Sequence, residues 1–451
     1  MILAGSAYTE AHAQVVLLAN GTLTGSSAGP NKDLSGLTTT LENGVSADLL
    51  GGLGSGFTYV GRNTFLALPD RGPNAVSYNA PTDDTVSYIA RYHTVKMSLQ
   101  PNTGTGLPFT IAPQLVSTTL LSAAFPLIYG TGADVGLPSG APATNGPFRY
   151  YFTGRSDNFD PAQNSADTRD ARFDPESIRV SNNGLYVFIS DEYGPYVYQF
   201  SRLTGRRVRT YRLPDTFYVA SPKATGADEI ALNLTGRTAN KGMEGLAITP
   251  DGKTLVGIIQ AAFIEDAITG GAAGKLLRIV TIDIASGQTT HQYAYSLTTG
   301  SGVSEITALN DHEFLVDERD GKGLGDGSSA KIKQIFKIDL TGAYDVTGLD
   351  GTNAAAHSVS KTLFVDLVAV LTANGFTVDK IPAKIEGVTI GPDVDYNGVT
   401  THTLWIANDN DFLQDYSGPG TNPNQFFVLG FTDASLAGSK LVPQKVESLL
   451  E

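Results

Sequence analysis

One short phrase recurs along the chain and decides most of what it can fold into. An acidic or small residue, usually with a Gly or Ser beside it, precedes an aliphatic residue that opens a β-type run. The copies are Ser35-Gly36-Leu37, Glu176-Ser177-Ile178, Glu244-Gly245-Leu246, Glu305-Ile306-Thr307 and Glu386-Gly387-Val388. A turn and a second hydrophobic run follow each copy. Four of these second runs end in polar clusters (Asp70-Arg71-Gly72, Asp191-Glu192-Tyr193, Asp317-Glu318-Arg319 and Asn408-Asp409-Asn410), and the third closes on Ile259-Gln260. A supersecondary unit returning every ~60–80 residues predicts a radial or stacked array.

The second unit shows the plan most clearly. Ile178–Ser181, Tyr186–Ser190, Tyr196–Ser201 and Arg207–Leu213 read as four short strands, with turns at Asn182-Asn183-Gly184 and Leu203-Thr204-Gly205. The third unit repeats it, while the fifth shows three strands before a polar tail. This pattern predicts an all-β fold, a β-propeller of four-stranded antiparallel blades. Five blades are expected, or six if the aperiodic stretch 122–172 conceals a degenerate one. The isolated run at 14–19 is expected to supply the missing strand of the last blade, since closure removes an exposed sheet edge. Residues 14–445 then form one propeller domain with insertions at 122–172 and 342–383. Within the second insertion, Lys361–Ala373 is expected to be a helix, N-capped by Ser360 and stopped at Asn374-Gly375.

Composition removes several function classes. A net charge of −14 argues against nucleic acid as a partner. It leaves room for a small anionic substrate, because a bound cation reverses the local field. The absence of cysteine excludes disulfides, thiolate catalysis and zinc–thiolate sites. No apolar run has the length of an integral membrane segment. Residues 1–13, with Ala11-His12-Ala13 resembling a cleavage site, read equally as a signal remnant or a frayed N-terminus. The six histidines are scattered, which argues against a Ser-His-Asp triad or zinc centre. Gly25-Ser26-Ser27-Ala28-Gly29 fits the nucleophile-elbow pattern but lacks its flanking strand and helix, so it reads as a loop. Asp393-Val394-Asp395-Tyr396-Asn397-Gly398 opens like a calcium loop, but Leu404 replaces the closing Glu, and a hairpin turn is expected.

Topology says where chemistry should collect. In an antiparallel blade, the start of the first strand and the end of the second lie at the same end. One rim of the central channel is therefore expected to gather Glu176, Glu244, Glu305, Glu386, Asp191, Glu192, Glu318 and Asp409 with Arg71, Lys241 and Arg319. So many carboxylates cannot all ionise together without a cation or basic partners. Oxygen ligands suit Ca²⁺ or Mg²⁺. Alternatively, ion pairs and turn hydrogen bonds between blades absorb them all.

Seven phrases in order carry a family resemblance: Leu68–Gly72, Asp174–Ile178, Ser190–Gly194, Asn240–Leu246, Asp317–Arg319, Lys384–Val388 and Ala407–Phe412. With them, residues 33–430 resemble the phytase-like family described as having esterase-like activity of phytase. The resemblance implies a secreted or periplasmic bacterial propeller acting on phosphate esters. One departure is Gln260-Ala261, where such sequences tend to carry an acidic residue. On this basis a metal-assisted phosphoesterase is expected. Glu176, Glu244, Glu305 and Glu386 would hold Ca²⁺, with Mg²⁺ as the alternative. Arg71, Lys241, Arg319, Glu192 and Glu318 would act in catalysis, and Asp70, Asp191, Asn408 and Asp409 in substrate binding. A monomer acting on a small anionic phosphate ester is expected. The alternatives are a non-catalytic binding propeller with a structural calcium ion, and a hydrolase or lyase using paired carboxylates as acid and base.

Overall fold

The computed structural model describes residues 15–25, 29, 31–74, 85–133, 136–194, 196–298, 300, 302–413 and 422–447. The signal-like residues 1–13 and the serines of the elbow-like loop lie outside them. Five antiparallel four-stranded blades run in chain order around a central axis. Their innermost strands are Gly56–Tyr59, Pro175–Val180, Met243–Ile248, Gly302–Ala308 and Lys384–Ile390. Each of these strands contacts the next, and the fifth returns to the first. No sixth blade occurs among the described residues. Blade five is completed from the other end of the chain: Val16–Leu23 pairs antiparallel with Asn424–Phe431. Four residues of the run at 14–19, Val16–Ala19, thus help close the ring as expected, with Leu17, Leu18 and Ala19 buried.

The small residues of the recurring phrase have a packing reason. A Cβ on Gly56 would lie 2.9 Å from the Ile178 nitrogen, one on Gly245 2.7 Å from the Ile306 nitrogen, and one on Gly387 2.6 Å from the Phe57 Cβ. At these three positions the neighbouring inner strand approaches too closely for a side chain. Blade one therefore begins at Ser55-Gly56-Phe57. The copy at Ser35-Gly36-Leu37 is not a strand opening: Gly36 has φ +74° and Ser35 turns back to bond the Asp33 carboxylate.

Blade four breaks the rule and shows what the space is for. Glu305 stands where the other blades carry Gly56, Ser177, Gly245 and Gly387. Its buried carboxylate pairs with Arg179 at 2.9 Å and accepts the Ser177 hydroxyl and the backbone nitrogens of Leu246 and Ile306. Arg179 donates in turn to the carbonyls of Phe57, Ile178, Ile306 and Val388. This bolt ties all five inner strands together across the channel.

The second insertion differs from expectation. Lys361–Asp366 is the outer strand of blade four, paired with Gln334–Ile338, and of the expected helix Lys361–Ala373 only Leu367–Ala373 is helical. Asp366 rather than Ser360 is the N-cap, its side chain accepting from the Ala369 nitrogen. Leu363, Phe364, Leu367, Val368 and Leu371 are spaced to share one helical face, but the edge of the third strand offers Lys361–Asp366 a ladder of hydrogen bonds that a short helix cannot match. The stop at Asn374-Gly375 stands, with Gly375 at φ +90°. Asn397-Gly398 makes the expected hairpin between Val394–Tyr396 and Val399–Thr401, both turn residues having positive φ. No helix among the described residues is long and apolar enough to cross a membrane.

A candidate active site at one mouth of the propeller

Two concentric sets of side chains line the mouth. At four strand openings the register slips by one residue, between Pro175 and Ile178, Met243 and Gly245, Val303 and Glu305, and Ile385 and Gly387. Such a bulge re-aims the extra residue. Those residues are Glu176, Glu244, Ser304 and Glu386. The second set comes from the strand-two closings, where equivalent positions hold Asp70, Glu192, Gln260, Arg319 and Asp409. Asp174 and Lys384 stand two residues before Glu176 and Glu386, on the same side of the strand.

These groups form one electrostatic assembly. Arg71 bonds Asp174 at 2.9 Å and also the Asn240 side chain. Arg319 pairs with Glu386, approaches Glu244 at 3.9 Å and donates to Ser304 at 2.6 Å. Lys241 donates to Gln260 at 3.1 Å. Lys384 bridges Asp409 at 2.7 Å and Asp411 at 2.5 Å. Beneath the cations, Asp174, Glu176 and Glu192 each bring a carboxylate oxygen within 4.8 Å of the others. All three are buried, and one oxygen of Glu192 and one of Glu244 have no hydrogen-bond partner.

Burial and like charge hold Glu176 and Glu192 well above their usual range. Glu176 is raised by desolvation and then by Glu244, Asp174 and Glu192, and Glu192 is raised by desolvation and Glu244. Desolvation and Glu386 push Glu244 up to about 7, and desolvation lifts Glu386 to about 7 against the pull of Arg319. Asp409 goes the other way: against the desolvation of its burial, Lys384, the Asp411 backbone nitrogen and Arg319 together lower its pKa.

The sign for stability follows. Glu244, Glu386, Glu305 and Asp191 titrate at about 7 and Asp317 at about 8 when folded. Their ordinary values are near 4, so the folded chain holds more protons than the unfolded one. Their stabilisation is complete below those ordinary values and is lost as pH rises through about 7–8. The melting temperature in chelator is expected to fall between pH ~4.5 and ~8. A melting temperature that rises across that window in a buffer series would contradict the assignment.

Strand parity separates the expected residues. Arg71, Lys241, Arg319, Glu192, Asp70, Asp409, Glu176, Glu244 and Glu386 meet at the mouth. Glu305 does not, being one residue past the bulge and locked to Arg179. Asp191, Glu318 and Asn408 also turn away. Asp191 accepts the backbone nitrogens of Asp174, Tyr193 and Gly194. Glu318 takes the Tyr295 hydroxyl and the Lys361 ammonium behind the blade. Asn408 accepts the Gln425 nitrogen and donates to the Pro423 carbonyl. The residues of the mouth that were not foreseen are Asp174, Lys384, Asp411, Asn240 and Ser304. The i−2 spacing in Asp174-Pro175-Glu176 and Lys384-Ile385-Glu386 was the available signal for the first two.

A five-bladed propeller with a buried carboxylate cluster under basic side chains at one mouth is the class this geometry defines. The family model described as "Phytase-like: Esterase-like activity of phytase" matches residues 48–412. The chain belongs to that family. An "Uncharacterized secreted protein" of Arthroderma benhamiae is 31% identical over 338 residues, 64% of this chain. The match spans 63% of that relative's length. Among solved structures, the periplasmic gluconolactonase PpgL of Pseudomonas aeruginosa has 12% identity, covers 96% of both chains and has a TM-score of 0.32. Sqt1 of Saccharomyces cerevisiae has 7% identity, covers 82% of this chain and 69% of its own, and has a TM-score of 0.28. Scores this low support no inference about function.

Proposed function

We propose that the protein is a secreted, cation-assisted hydrolase of phosphate esters working at this mouth. The observation that carries the reading is the Asp174–Glu176–Glu192 cluster, with an orphaned buried carboxylate oxygen, lying beneath Arg71, Arg319 and Lys384. Membership of a family described by esterase-like activity supports the reaction class.

The donor set fits a hard divalent cation, Ca²⁺ or Mg²⁺, held by Asp174, Glu176 and Glu192. This replaces the expected set of four glutamates, since Glu305 is bonded to Arg179 and Glu386 to Arg319. Such an ion would polarise a phosphoryl oxygen and acidify a bound water. The chain's own residues do the rest. Arg71 and Arg319 present guanidinium edges for the phosphoryl oxygens, each held in place by a carboxylate behind it. Lys241, with the neutral Gln260 as its bonded partner, leaves positive charge for the substrate. Glu244, titrating near 7 between Glu192 and Arg319, is suited to take a proton from the attacking water.

The test is hydrolysis of para-nitrophenyl phosphate and its diester, before and after chelation and with calcium restored. Turnover is expected to disappear on chelation and return with the ion. Turnover that survives chelation would favour the paired carboxylates Glu192 and Glu244 as acid and base. No turnover under any condition, with calcium still raising the melting temperature, would make this a binding propeller.

A further inference from the structure

The outer edge of blade three carries a groove that the site at the mouth does not use. Its floor belongs to the two outermost strands, Leu276–Asp283 and Thr289–Ser296, and its walls to two short helices, Ile264–Thr269 and Gly351–Ala355. The second helix comes from the insertion that follows the third strand of blade four. The chain before it is tied down where the Gln292 nitrogen donates to Asp345 and the Val346 nitrogen to the Gln292 carbonyl. A Cβ on Gly351 would overlap the Asp266 carboxylate, so this wall closes directly onto that group. The groove has a volume of about 700 Å³, within the roughly 300–1,000 Å³ of small-molecule clefts.

Two side chains on the floor keep hydrogen-bonding capacity that the fold leaves unused. Arg278 pairs with Ala294 and Gln292 with Val280, a register that puts Arg278 and Gln292 on one face of the sheet. Gln292 is 6% exposed, yet its amide makes no hydrogen bond to the described residues. Arg278 is equally buried. Its terminal nitrogens donate to the Asp266 carboxylate at 3.2 Å and to the Leu349 carbonyl at 3.4 Å, and its Nε has no partner. Buried polar groups are almost always paired, because an unpaired one costs stability. Two such groups side by side on the floor of a groove call for a ligand that satisfies them.

We propose that this groove binds a neutral saccharide, whose hydroxyls pair with Gln292 and Arg278 on the floor and with the Glu265 carboxylate on the wall. The charges select this class. Glu265, Asp266 and Asp350 line the groove against the single guanidinium, which disfavours a phosphate or carboxylate. A metal ion lacks its ligands: among the described residues, the group of three carboxylates close enough to share one is Asp174, Glu176 and Glu192 at the mouth. An organic cation would meet Arg278 and leave the donors of the floor idle. A sugar hydroxyl both donates and accepts, so neighbouring hydroxyls satisfy amide, guanidinium and carboxylate together. Glu265 has room for this, since it accepts only the Gly236 nitrogen among printed partners at 2.9 Å and a carboxylate offers about four acceptor sites. The groove stands on its own geometry, whatever the reaction at the mouth.

Titration of the intact chain with maltotriose, cellotriose, mannotriose and N-acetylated chitotriose, followed by calorimetry and saturation-transfer NMR, tests it. At least one of these sugars is expected to bind with a dissociation constant in the ~millimolar range or tighter. Gln292→Met keeps the length of the side chain and removes the amide. Glu265→Gln removes a charged acceptor and keeps the shape. Each should weaken that binding at least ~10-fold, about 1.4 kcal/mol. The melting temperature of Gln292→Met should not fall, because its amide has no partner to lose, and its hydrolysis of para-nitrophenyl phosphate should match the parent's. Binding of none of the four sugars, binding undiminished in both variants, or a Gln292→Met protein that melts well below the parent would overturn the proposal. So would inorganic phosphate that binds the intact chain and is lost in Gln292→Met, since the groove would then take an anion.

Discussion

Replacing Arg179 by methionine is expected to destabilise the fold by about 3–5 kcal/mol, the cost of stranding a buried charge. The guanidinium is the hub of the channel. It reaches carbonyls of blades one, two, four and five and pairs with Glu305, which holds the Leu246 nitrogen of blade three. Without it, four carbonyl contacts go and Glu305 is left buried without its counter-charge. Glu305 already titrates at about 7 with Arg179 beside it. In Arg179→Met it should stay protonated well above neutrality, so the variant's deficit should be smallest in acid and grow as pH rises. The double variant Arg179→Met, Glu305→Leu should regain much of the loss, because replacing both partners of a buried pair costs far less than removing one. Denaturant midpoints of the three proteins measure this. A single variant within ~0.5 kcal/mol of the parent would show that the bolt carries no load, since that is the range of changes at indifferent surface sites.

The same residues explain how far the sequence could be read. The blades were legible because strand alternation and turn residues are local signals. The closing role of the N-terminal run was legible because the fifth blade was one strand short. Register was harder. Glu305 looks like the glutamate of the recurring phrase, since an acidic residue precedes an aliphatic one in both. Only the bulge at Ser304 reveals that it has moved one place, and a shift of one residue along a strand reverses the side. Asp191, Glu318 and Asn408 fail for the same reason: they sit next to the residues that face the mouth, in clusters where several polar neighbours compete. The outer strand of blade four was hidden because Lys361–Asp366 acquires its structure from the Gln334–Ile338 edge, which is a non-local cause. The groove on blade three was not foreseen either, since its walls are helices distant from each other in the chain.

Carboxylates that face the mouth and one that turns behind its blade now make opposite predictions, and these decide whether the mouth is a working site. Glu176→Gln and Glu192→Gln each remove one charged oxygen donor from the carboxylate cluster while keeping size and shape. Each is expected to lower kcat/KM on the order of 10³-fold, the scale seen when a preorganised electrostatic contact to a transition state is removed. Each should also abolish the rise in melting temperature produced by calcium, since a ligand stabilises a fold only through the affinity it retains. In chelator both variants should be at least as stable as the parent, because they relieve like-charge crowding among Asp174, Glu176, Glu192 and Glu244. Glu318→Gln should do the reverse. Glu318 is buried against the Tyr295 hydroxyl, the Lys361 ammonium and the Thr298 nitrogen. Neutralising it leaves Lys361 half-buried over the Tyr295 and Phe336 rings without its carboxylate. That variant should lose stability, roughly 2–4 kcal/mol, and keep kcat/KM within about threefold once folded. Activity lost equally in Glu318→Gln and Glu192→Gln, at temperatures where both are folded, would erase the distinction that strand parity draws. Loss confined to Glu176→Gln and Glu192→Gln, with the calcium response gone in the same two proteins, would join ion binding and turnover at one cluster.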